Sequence, residues 1–180
     1  MIIALIGENN CGKTTIANIL AQLVVEPTKT VEELFDCSTV KINTNKVKVL
    51  SFADPVSEIF KNLTNTAYHT LTRDQKEICR PLYIKFAEGM KDIFGKDIWA
   101  KKIIQIIEES NNLNIIIDDL RFDIELCLLK GYYKELKLVN VNGGLPHFNH
   151  ITPFANIEND LVDKTFLVKQ LKQLLNLPLG

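Results

Sequence analysis

The chain has 180 residues, of which 46% are hydrophobic and 24% charged, a balance that suits one globular domain with its own core. The formal net charge of −1 and the pI of about 6.3 provide no general basic field, which argues against stable nucleic-acid binding. No apolar run reaches the roughly 20 residues of a membrane span and no basic segment opens a signal peptide, so we expect an intracellular, cytoplasmic protein without membrane attachment.

The first third of the chain predicts two strands, each followed by a helix. The short apolar run at 2–6 is typical of a buried strand, and a helix with one apolar face is expected from about Lys13. Residues 24–45 predict a short helix and a loop. A second strand is expected at 47–52, and Pro55 then favours a helix start, because its missing N–H is not needed there.

The middle of the chain predicts a series of amphipathic helices. Thr72 and Gln75 have the spacing of a capping box, so a helix is expected to begin there. Pro81 is expected to break or restart this helix, because proline lacks an N–H and its ring clashes with the preceding turn. Gly95 interrupts the pattern, and Asp97 can cap the next helix.

The remaining residues predict three more strands, at 114–117, 136–141 and 155–157, and two helices, at 122–130 and 165–175. Strands that alternate with helices indicate an α/β fold, so we expect one three-layer domain over 1–180, with a mainly parallel five-stranded sheet and helices on both faces. Parallel sheets bind ligands at the carboxyl ends of their strands. The polar residues after Ile6 and after Ile117 are therefore predicted to face one crevice.

The first candidate site is a loop in which Gly7, four further residues and Gly12-Lys13-Thr14 have the spacing of a phosphate cradle. Glycine allows the backbone angles that turn successive N–H groups toward phosphate oxygens, and the following helix N-terminus adds partial positive charge. Lys13 would reach the outer phosphates, and the Thr14 hydroxyl would bind Mg²⁺. The predicted nucleotide-binding residues are Gly7, Asn9, Asn10, Cys11, Gly12, Lys13, Thr14 and Thr15.

The second candidate site follows the strand at 114–117, where Asp118 and Asp119 precede Arg121. A carboxylate at this position can hold Mg²⁺ or its water. An arginine beside it can grip a phosphate through two hydrogen bonds. The alternative is an Asp–Arg surface pair that caps the following helix.

Further candidates for substrate contact lie between the second and third strands: Phe52, Asp54, Arg80, Lys85, Glu88 and Trp99. Each has a structural alternative. Phe52 and Trp99 could belong to the core, Asp54 could cap a helix, and the helix charges could form a solvated face. Arg80 is a stronger candidate than the neighbouring lysines, because the chain has only three arginines.

Four segments together resemble one family: GENNCGKTTIA at 7–17, SFADP at 51–55, the helix with Arg80 that runs to GKDIW at 95–99, and DDLRFDIE at 118–125. In this order they resemble the bacteriophage-type deoxynucleoside monophosphate kinases, which are part of the P-loop nucleoside monophosphate kinase group. The resemblance implies ATP and Mg²⁺ as donor and a deoxynucleoside 5′-monophosphate as acceptor. It also implies an acceptor-binding helical region at about 54–100, a mobile lid at about 142–154 and, for a viral protein, the host cytoplasm.

The resemblance also implies roles for single residues. Lys13 and Thr14 match the residues that bind the ATP phosphates and Mg²⁺, and Glu125 matches an acidic residue of the family. Asp119 and Arg121 match its Asp-x-Arg motif, which leaves Asp118 as an extra carboxylate. The expected catalytic residues are Lys13, Arg121 and Asp119, the metal ligands Thr14 and Asp119, and the acceptor-binding residues Phe52, Asp54, Arg80, Lys85, Glu88, Trp99 and Arg121.

One departure from the family concerns the cations of the lid. Such kinases carry arginines there and after the last strands, but this chain has no Lys or Arg between Val139 and Asp163. Because such arginines stabilise the charge on the transferred phosphoryl group, their loss can lower the rate by orders of magnitude. Lys85, Lys91, Arg73 or a neighbouring subunit of a homodimer could substitute.

Asn142 and Gly143 stand where the arginine after the strand at 136–141 is expected. The sequence therefore predicts ATP- and Mg²⁺-dependent phosphoryl transfer to a deoxynucleoside 5′-monophosphate and leaves two alternatives open. One is a nucleotide-binding scaffold or regulator with weak or no turnover. The other is a kinase for a different small phosphorylated acceptor, such as phosphomevalonate. A GTPase is disfavoured because the chain lacks an Asn-Lys-x-Asp motif, and a motor because the chain is small.

Overall fold

The computed structural model describes residues 1–36, 42–111, 113–143, 145, 148, 151–159 and 163–178, apart from the side chains of His69 and Arg73. Within this part of the chain the strands are β1 (Ile2–Ile6), β2 (Val47–Leu50), β3 (Asn114–Ile117), β4 (Lys137–Val141) and β5 (Ala155–Ile157). The seven α-helices are α1 (Lys13–Val25), α2 (Val31–Phe35), α3 (Asp54–Thr64), α4 (Arg73–Phe94), α5 (Ile98–Glu109), α6 (Asp123–Tyr132) and α7 (Lys164–Leu174).

The five strands form one parallel sheet in the order β2-β3-β1-β4-β5. β1 is the central strand, with Ala4 paired to Ile117 of β3 on one side and to Leu138 of β4 on the other. Three strands have the predicted bounds, and the other two are shorter than predicted by one or two residues. The prediction of an α/β fold with a parallel five-stranded sheet is confirmed.

β1 shows why helices cover both faces of the sheet. Its side chains alternate, so that Ile3 and Leu5 join a core with α1, α2 and α7, whereas Ala4 and Ile6 join a core with α5 and α6. All four side chains are fully buried. Because both faces need apolar cover, helices lie on both sides of the sheet, which is consistent with a three-layer α/β fold.

α4 lies at the surface of the domain. None of its described side chains is buried, and Ile78, Leu82 and Ile93 are largely exposed. The helix begins at the predicted capping box, in which the Thr72 hydroxyl accepts a bond from the Gln75 N–H and the Gln75 side chain accepts one from the Thr72 N–H. The cap therefore fixes where the helix starts even though little apolar surface is buried along it.

The predicted break at Pro81 is wrong, because α4 continues through this residue to Phe94. Pro81 is exposed, and so is Glu77, whose carbonyl would accept a bond from residue 81 in an ordinary helix. That carbonyl can be hydrated, which lowers the cost of the missing bond. After the proline, the Ala87 carbonyl accepts a bond from the Trp99 indole and so holds α4 against α5.

The parallel pairing brings three loops to one edge of the sheet. The loop after β1 emerges beside the turn after β3, and the turn after β3 lies beside residues 51–53, which follow β2. The two polar clusters that the sequence analysis identified are therefore neighbours, as predicted. Within the described part of the chain, no helix is both long and apolar enough to cross a membrane.

Candidate functional site

Residues 7–12 form a tight loop around the side chain of Lys13, the first residue of α1. The Lys13 ammonium donates to the Gly7 carbonyl at 2.8 Å and to the Glu8 carbonyl at 2.6 Å, and it lies 3.6 Å from the Cys11 sulfur. The side chain is 6% exposed. The described partners of the Lys13 ammonium are all uncharged. The loop therefore holds a buried positive charge that a phosphate oxygen could approach.

The two glycines of the motif are required by close contacts. A Cβ atom on Gly7 would lie 2.6 Å from the Cys11 sulfur and 2.8 Å from the Val141 carbonyl oxygen. A Cβ atom on Gly12 would lie 2.0 Å from the Asn159 amide nitrogen, and the φ of Gly12 is +88°. A side chain at Gly7 would displace Cys11 or Val141, and one at Gly12 would displace the Asn159 side chain and adopt an unfavourable φ.

The turn after β3 contacts the start of α1 through Asp118. The Thr14 hydroxyl donates to the Asp118 carboxylate at 3.0 Å, and Asp118 is only 4% exposed. Asp119, the carboxylate expected to bind metal, accepts a bond from the Phe52 N–H at 2.7 Å. The two consecutive carboxylates thus bond to different segments, Asp118 to Thr14 at the start of α1 and Asp119 to the residues after β2.

These loops enclose a cavity of about 480 Å³. Its lining includes Asn9, Asn10, Gly12, Lys13, Thr14, Thr15, Ser51, Ala53, Asp118, Asp119 and Arg121. A second cavity, of about 460 Å³, shares Asn9 and Arg121 and is also lined by Gly7, Glu8, Phe122 and Leu145. Both volumes lie in the range of small-molecule sites. The predicted convergence of Lys13 and Arg121 on one crevice is confirmed.

Glu125 shapes the turn that carries Arg121. Its carboxylate oxygen Oε2 accepts bonds from the N–H groups of Arg121 at 3.0 Å and Phe122 at 3.1 Å. The pKa of Glu125 is raised to about 7. Burial is the largest cause and the nearby Asp119 also raises the pKa, whereas the two backbone bonds and Lys91 lower it. Glu125 therefore acts on the site through the backbone of this turn, by orienting the residue that lines both cavities.

Three expected acceptor-site residues make structural contacts. Phe52 is buried in the core that includes α5 and α6. Trp99 is buried, and its indole N–H donates to the Ala87 carbonyl at 3.1 Å. The Asp54 carboxylate accepts a bond from the Ser51 N–H at 2.6 Å, at the start of α3. Phe52 and Trp99 thus correspond to the core alternative that the sequence left open. The Asp54 bond goes to Ser51, which precedes the Ala53 N-cap of α3, so this bond is not the predicted helix cap.

The charged residues predicted on α4 lie along an exposed face. Arg80 forms an exposed ion pair with Glu77, and the exposed Lys85 and Glu88 line neither of the two cavities. Lys91 differs from them, since its ammonium lies 4.7 Å from the centre of the Phe122 ring. Phe122 lines the second cavity beside Arg121. The side chain of Arg73 lies outside the described residues.

Two site residues that sequence reasoning missed are Tyr83 and Asn159. The Tyr83 hydroxyl donates to the carbonyl of Ala53, which lines the first cavity, and burial raises the Tyr83 pKa to about 12. The Asn159 side chain donates to the Cys11 carbonyl at 2.8 Å. Both partners are backbone carbonyls far away in sequence, so no motif could have indicated these contacts.

The described residues of the segment expected to form a lid lie against the body of the domain. Phe148 is 3% exposed, within the core that includes α5 and α6, and Leu145 and Ile151 pack against the same core. The Phe148 N–H donates to the Leu145 carbonyl, and the Ile151 N–H donates to the Phe148 carbonyl, both at 2.9 Å. Phe148 therefore anchors this segment beside the second cavity, which Leu145 helps to line.

No family model matches the chain, and no curated protein matches it at a significant level. Among the described residues, no group of three or more His, Cys, Asp or Glu side chains could hold a metal ion. A metal at this site would therefore be held by fewer than three such side chains, together with ligands such as the Thr14 hydroxyl or phosphate oxygens.

Replacing Glu125 by Gln should change the pH dependence of stability. The folded-state pKa of about 7 lies above the ordinary value of 4.5, so the stabilising effect of protonated Glu125 is complete below pH 4.5 and is lost as the pH rises through 7. Between these pH values the free energy of unfolding of the wild type should fall relative to that of Glu125→Gln. The fall should be about 3 kcal/mol at most, since a tenfold change in proton affinity corresponds to about 1.4 kcal/mol.

Urea unfolding at a series of pH values measures this difference. Glutamine keeps an oxygen that can accept both backbone bonds, so the variant removes the titration and preserves the acceptor. Glu108→Gln, at an exposed position of α5, is the matched control and should show no such trend. A wild-type stability that stays parallel to that of Glu125→Gln at every pH would contradict the raised pKa.

Proposed function

We propose that the chain transfers the γ-phosphoryl group of ATP, with Mg²⁺, to the phosphate of a deoxynucleoside 5′-monophosphate and so forms the diphosphate and ADP. The observation that carries this proposal is that Lys13 and Arg121 line one cavity, although they follow different strands. Two cations at a cavity of nucleotide-compatible size suit a site between two phosphate-bearing substrates. The partners of the protein would then be small nucleotides.

For the donor, the proposal rests on the loop after β1. The Lys13 ammonium bonds to the carbonyls of Gly7 and Glu8, and phosphate oxygens can replace these neutral acceptors with stronger, charged ones. The N-terminus of α1 begins at the same point and adds the partial positive charge of its N–H groups. The loop therefore has the features of a triphosphate site: a buried cation, a helix N-terminus and glycines at the close contacts.

For Mg²⁺, the residues that fit are Thr14 and Asp118. Their side-chain oxygens are 3.0 Å apart, and Mg²⁺ at such sites takes one or two protein oxygens together with phosphate oxygens and water. When bound, the ion would neutralise part of the phosphate charge. We therefore propose Asp118 in place of Asp119, since Asp119 bonds to the Phe52 N–H.

The reaction would be a direct displacement at the γ-phosphorus. An oxygen of the acceptor phosphate attacks and forms the new P–O bond, while the bond to the β–γ bridging oxygen breaks and ADP leaves with that electron pair. The acceptor phosphate is already ionised at neutral pH, so no side-chain base is required. Lys13 on the donor side and Arg121 on the acceptor side would hold the two phosphates in line and stabilise the charge between them.

Lys91 is the residue we propose in place of the lid arginines. Its ammonium lies over the ring of Phe122, which follows Arg121 directly and lines the second cavity with it. It also lowers the pKa of Glu125, which indicates that its charge acts within this turn. Lys91 can therefore add a positive charge from α4 on the side where the segment 142–154 supplies none.

A nucleotide-binding scaffold without turnover is the second candidate function. The observation that favours it is the segment expected to be a lid, which has no Lys or Arg and in which Phe148 is buried against the core. A site whose cover carries no cation would bind a nucleotide but stabilise the transition state poorly. Turnover assays distinguish this function from the kinase.

The proposed function is tested with ATP, Mg²⁺ and a panel of deoxynucleoside monophosphates, together with other phosphorylated acceptors such as phosphomevalonate. The wild type should form ADP and a diphosphate product only when an acceptor is present. Lys13→Ala should lower kcat/KM by about 100-fold or more, because it removes the positive charge that would stabilise the transferred phosphoryl group. Lys169→Ala, at an exposed position of α7, is the control and should have wild-type activity.

ATP binding without turnover on any acceptor would instead support the scaffold. ADP formation that does not depend on an acceptor would indicate hydrolysis and contradict transfer. Full activity of a folded Lys13→Ala variant would show that the loop after β1 is not the donor site.

Isosteric Asp→Asn variants test whether Asp118 or Asp119 binds Mg²⁺. Asp118→Asn should raise the Mg²⁺ concentration for half-maximal activity by about tenfold or more, because an amide oxygen is a weaker ligand than a carboxylate. Asp119→Asn keeps an oxygen for the Phe52 N–H and should leave the Mg²⁺ requirement unchanged. A shift in the Mg²⁺ requirement that occurs only in Asp119→Asn would restore the assignment based on the family resemblance.

Two lysines of α4 test the source of the extra positive charge. Lys91→Met should lower kcat by about tenfold or more, because a cation near the transferred group is lost while the side-chain length is kept. Lys85→Met is the matched control on the same helix and should leave kcat unchanged, since Lys85 is exposed, whereas Lys91 lies over the ring of Phe122. Equal effects of the two substitutions, or an effect of Lys85→Met alone, would refute the role of Lys91.

A further inference from the structure

Asn159 links the far side of the sheet to the phosphate cradle. It follows β5, and its side-chain amide nitrogen donates to the Cys11 carbonyl at 2.8 Å. The backbone N–H of Asn159 donates to the side-chain oxygen of Asn142 at 2.7 Å, and the Asn142 N–H donates to the Ile157 carbonyl at 2.9 Å. A continuous set of hydrogen bonds thus runs from the ends of β4 and β5 to the loop after β1.

Besides its hydrogen bond to Cys11, the Asn159 side chain packs closely against Gly12. The Asn159 amide nitrogen lies only 2.0 Å from the position that a Cβ atom of Gly12 would occupy. Gly12 is the N-cap of α1 and adopts a φ of +88°, a value that glycine alone adopts readily. The side chain of Asn159 therefore packs directly on the peptide backbone at the helix start.

The bond to Cys11 sets the direction of a neighbouring N–H. In a planar trans peptide the C=O and the following N–H point to opposite sides, so a Cys11 carbonyl directed at Asn159 turns the Gly12 N–H away from Asn159. Gly12 also lines the cavity that contains Lys13 and Thr14. Because a phosphate cradle works through N–H groups that point inward, the direction of this peptide decides whether the Gly12 N–H can serve as a donor.

We propose that Asn159 is a positioning residue that holds the Cys11–Gly12 peptide in the orientation required for phosphate binding. The hydrogen bond is a property of the fold, while its effect on phosphate rests on the proposed function. The proposal also accounts for Asn142, which stands where the family resemblance leads us to expect arginine. Asn142 has a φ of +51°, which asparagine adopts more readily than most residues, and its side chain fixes the backbone of Asn159.

Asn159→Asp is the sharpest variant, because the two side chains have the same shape and aspartate has no N–H to donate. In the free protein, the carbonyl ¹³C chemical shift of Cys11 should move upfield, because this carbonyl loses the hydrogen bond that the Asn159 amide donates. The Kd for tripolyphosphate, measured by calorimetry, should rise about tenfold or more. With ATP, the rise should appear in the KM for ATP, while kcat at saturation and the KM for the acceptor change less than about threefold.

Two further variants control for charge and for general damage. Asn159→Ala removes the donor without adding a negative charge and should show the same upfield shift of the Cys11 carbonyl and the same weaker tripolyphosphate binding. Asn156→Asp makes the same chemical change on β5, at an exposed position where only the side-chain oxygen is used, as acceptor from Asn140. It should behave as the wild type in all three measurements.

The outcomes separate this proposal from the proposed function. An unchanged Cys11 carbonyl chemical shift in both Asn159 variants would refute the positioning role, whatever the activity. Weaker binding in Asn159→Asp but not in Asn159→Ala would also refute it, because charge alone would then be the cause. A wild type that binds neither tripolyphosphate nor ATP would overturn the proposed function, and the Cys11 carbonyl chemical shift would still decide whether Asn159 orients the peptide.

Discussion

The site depends on the parallel pairing of β1 with β3. This pairing brings the loop after β1 beside the turn after β3, and the hydrogen bond from Thr14 to Asp118 joins the two at 3.0 Å. The pairing is secured by the alternating side chains of β1, which are fully buried in a core on each face. A change in register by one residue would reverse these faces and separate the hydroxyl from the carboxylate. Packing of the sheet and geometry of the site are therefore determined together.

Most of the residues that shape the site act on backbone atoms. Glu125 holds the N–H groups of Arg121 and Phe122, Asp119 holds that of Phe52, and Asn159 holds the Cys11 carbonyl. Such bonds fix the direction of peptide groups and leave the side chains of Lys13 and Arg121 to face the cavity. Under the proposed kinase function, this arrangement lets a small site keep its phosphate-binding groups in place before substrate arrives, so that little reorganisation is needed during the reaction.

Positive charge is concentrated on one side of the site, and this affects the transition state of the proposed reaction. Positive charge comes from the loop after β1, from Arg121 and from Lys91 on α4, and the segment after β4 contributes asparagines and apolar residues. Phe148 anchors that segment in the core. If phosphoryl transfer occurs here, the acceptor-side helices supply charge that the segment after β4 lacks. Under the proposed function, this distribution of charge therefore limits the rate of the chemical step rather than the binding of nucleotide.

The sequence by itself determined the elements and the loop after β1, because apolar periodicity and the Gly7–Gly12–Lys13 spacing are local signals. It also predicted that Lys13 and Arg121 would meet, since both follow buried strands of a parallel sheet. It could not predict that Pro81 would lie inside α4, because the solvation of the Glu77 carbonyl depends on where that helix packs. Only the tertiary structure decided between Asp118 and Asp119 at Thr14 and brought Asn159 to Cys11. These contacts depend on the directions of side chains from residues far apart in the chain, and no local pattern encodes them.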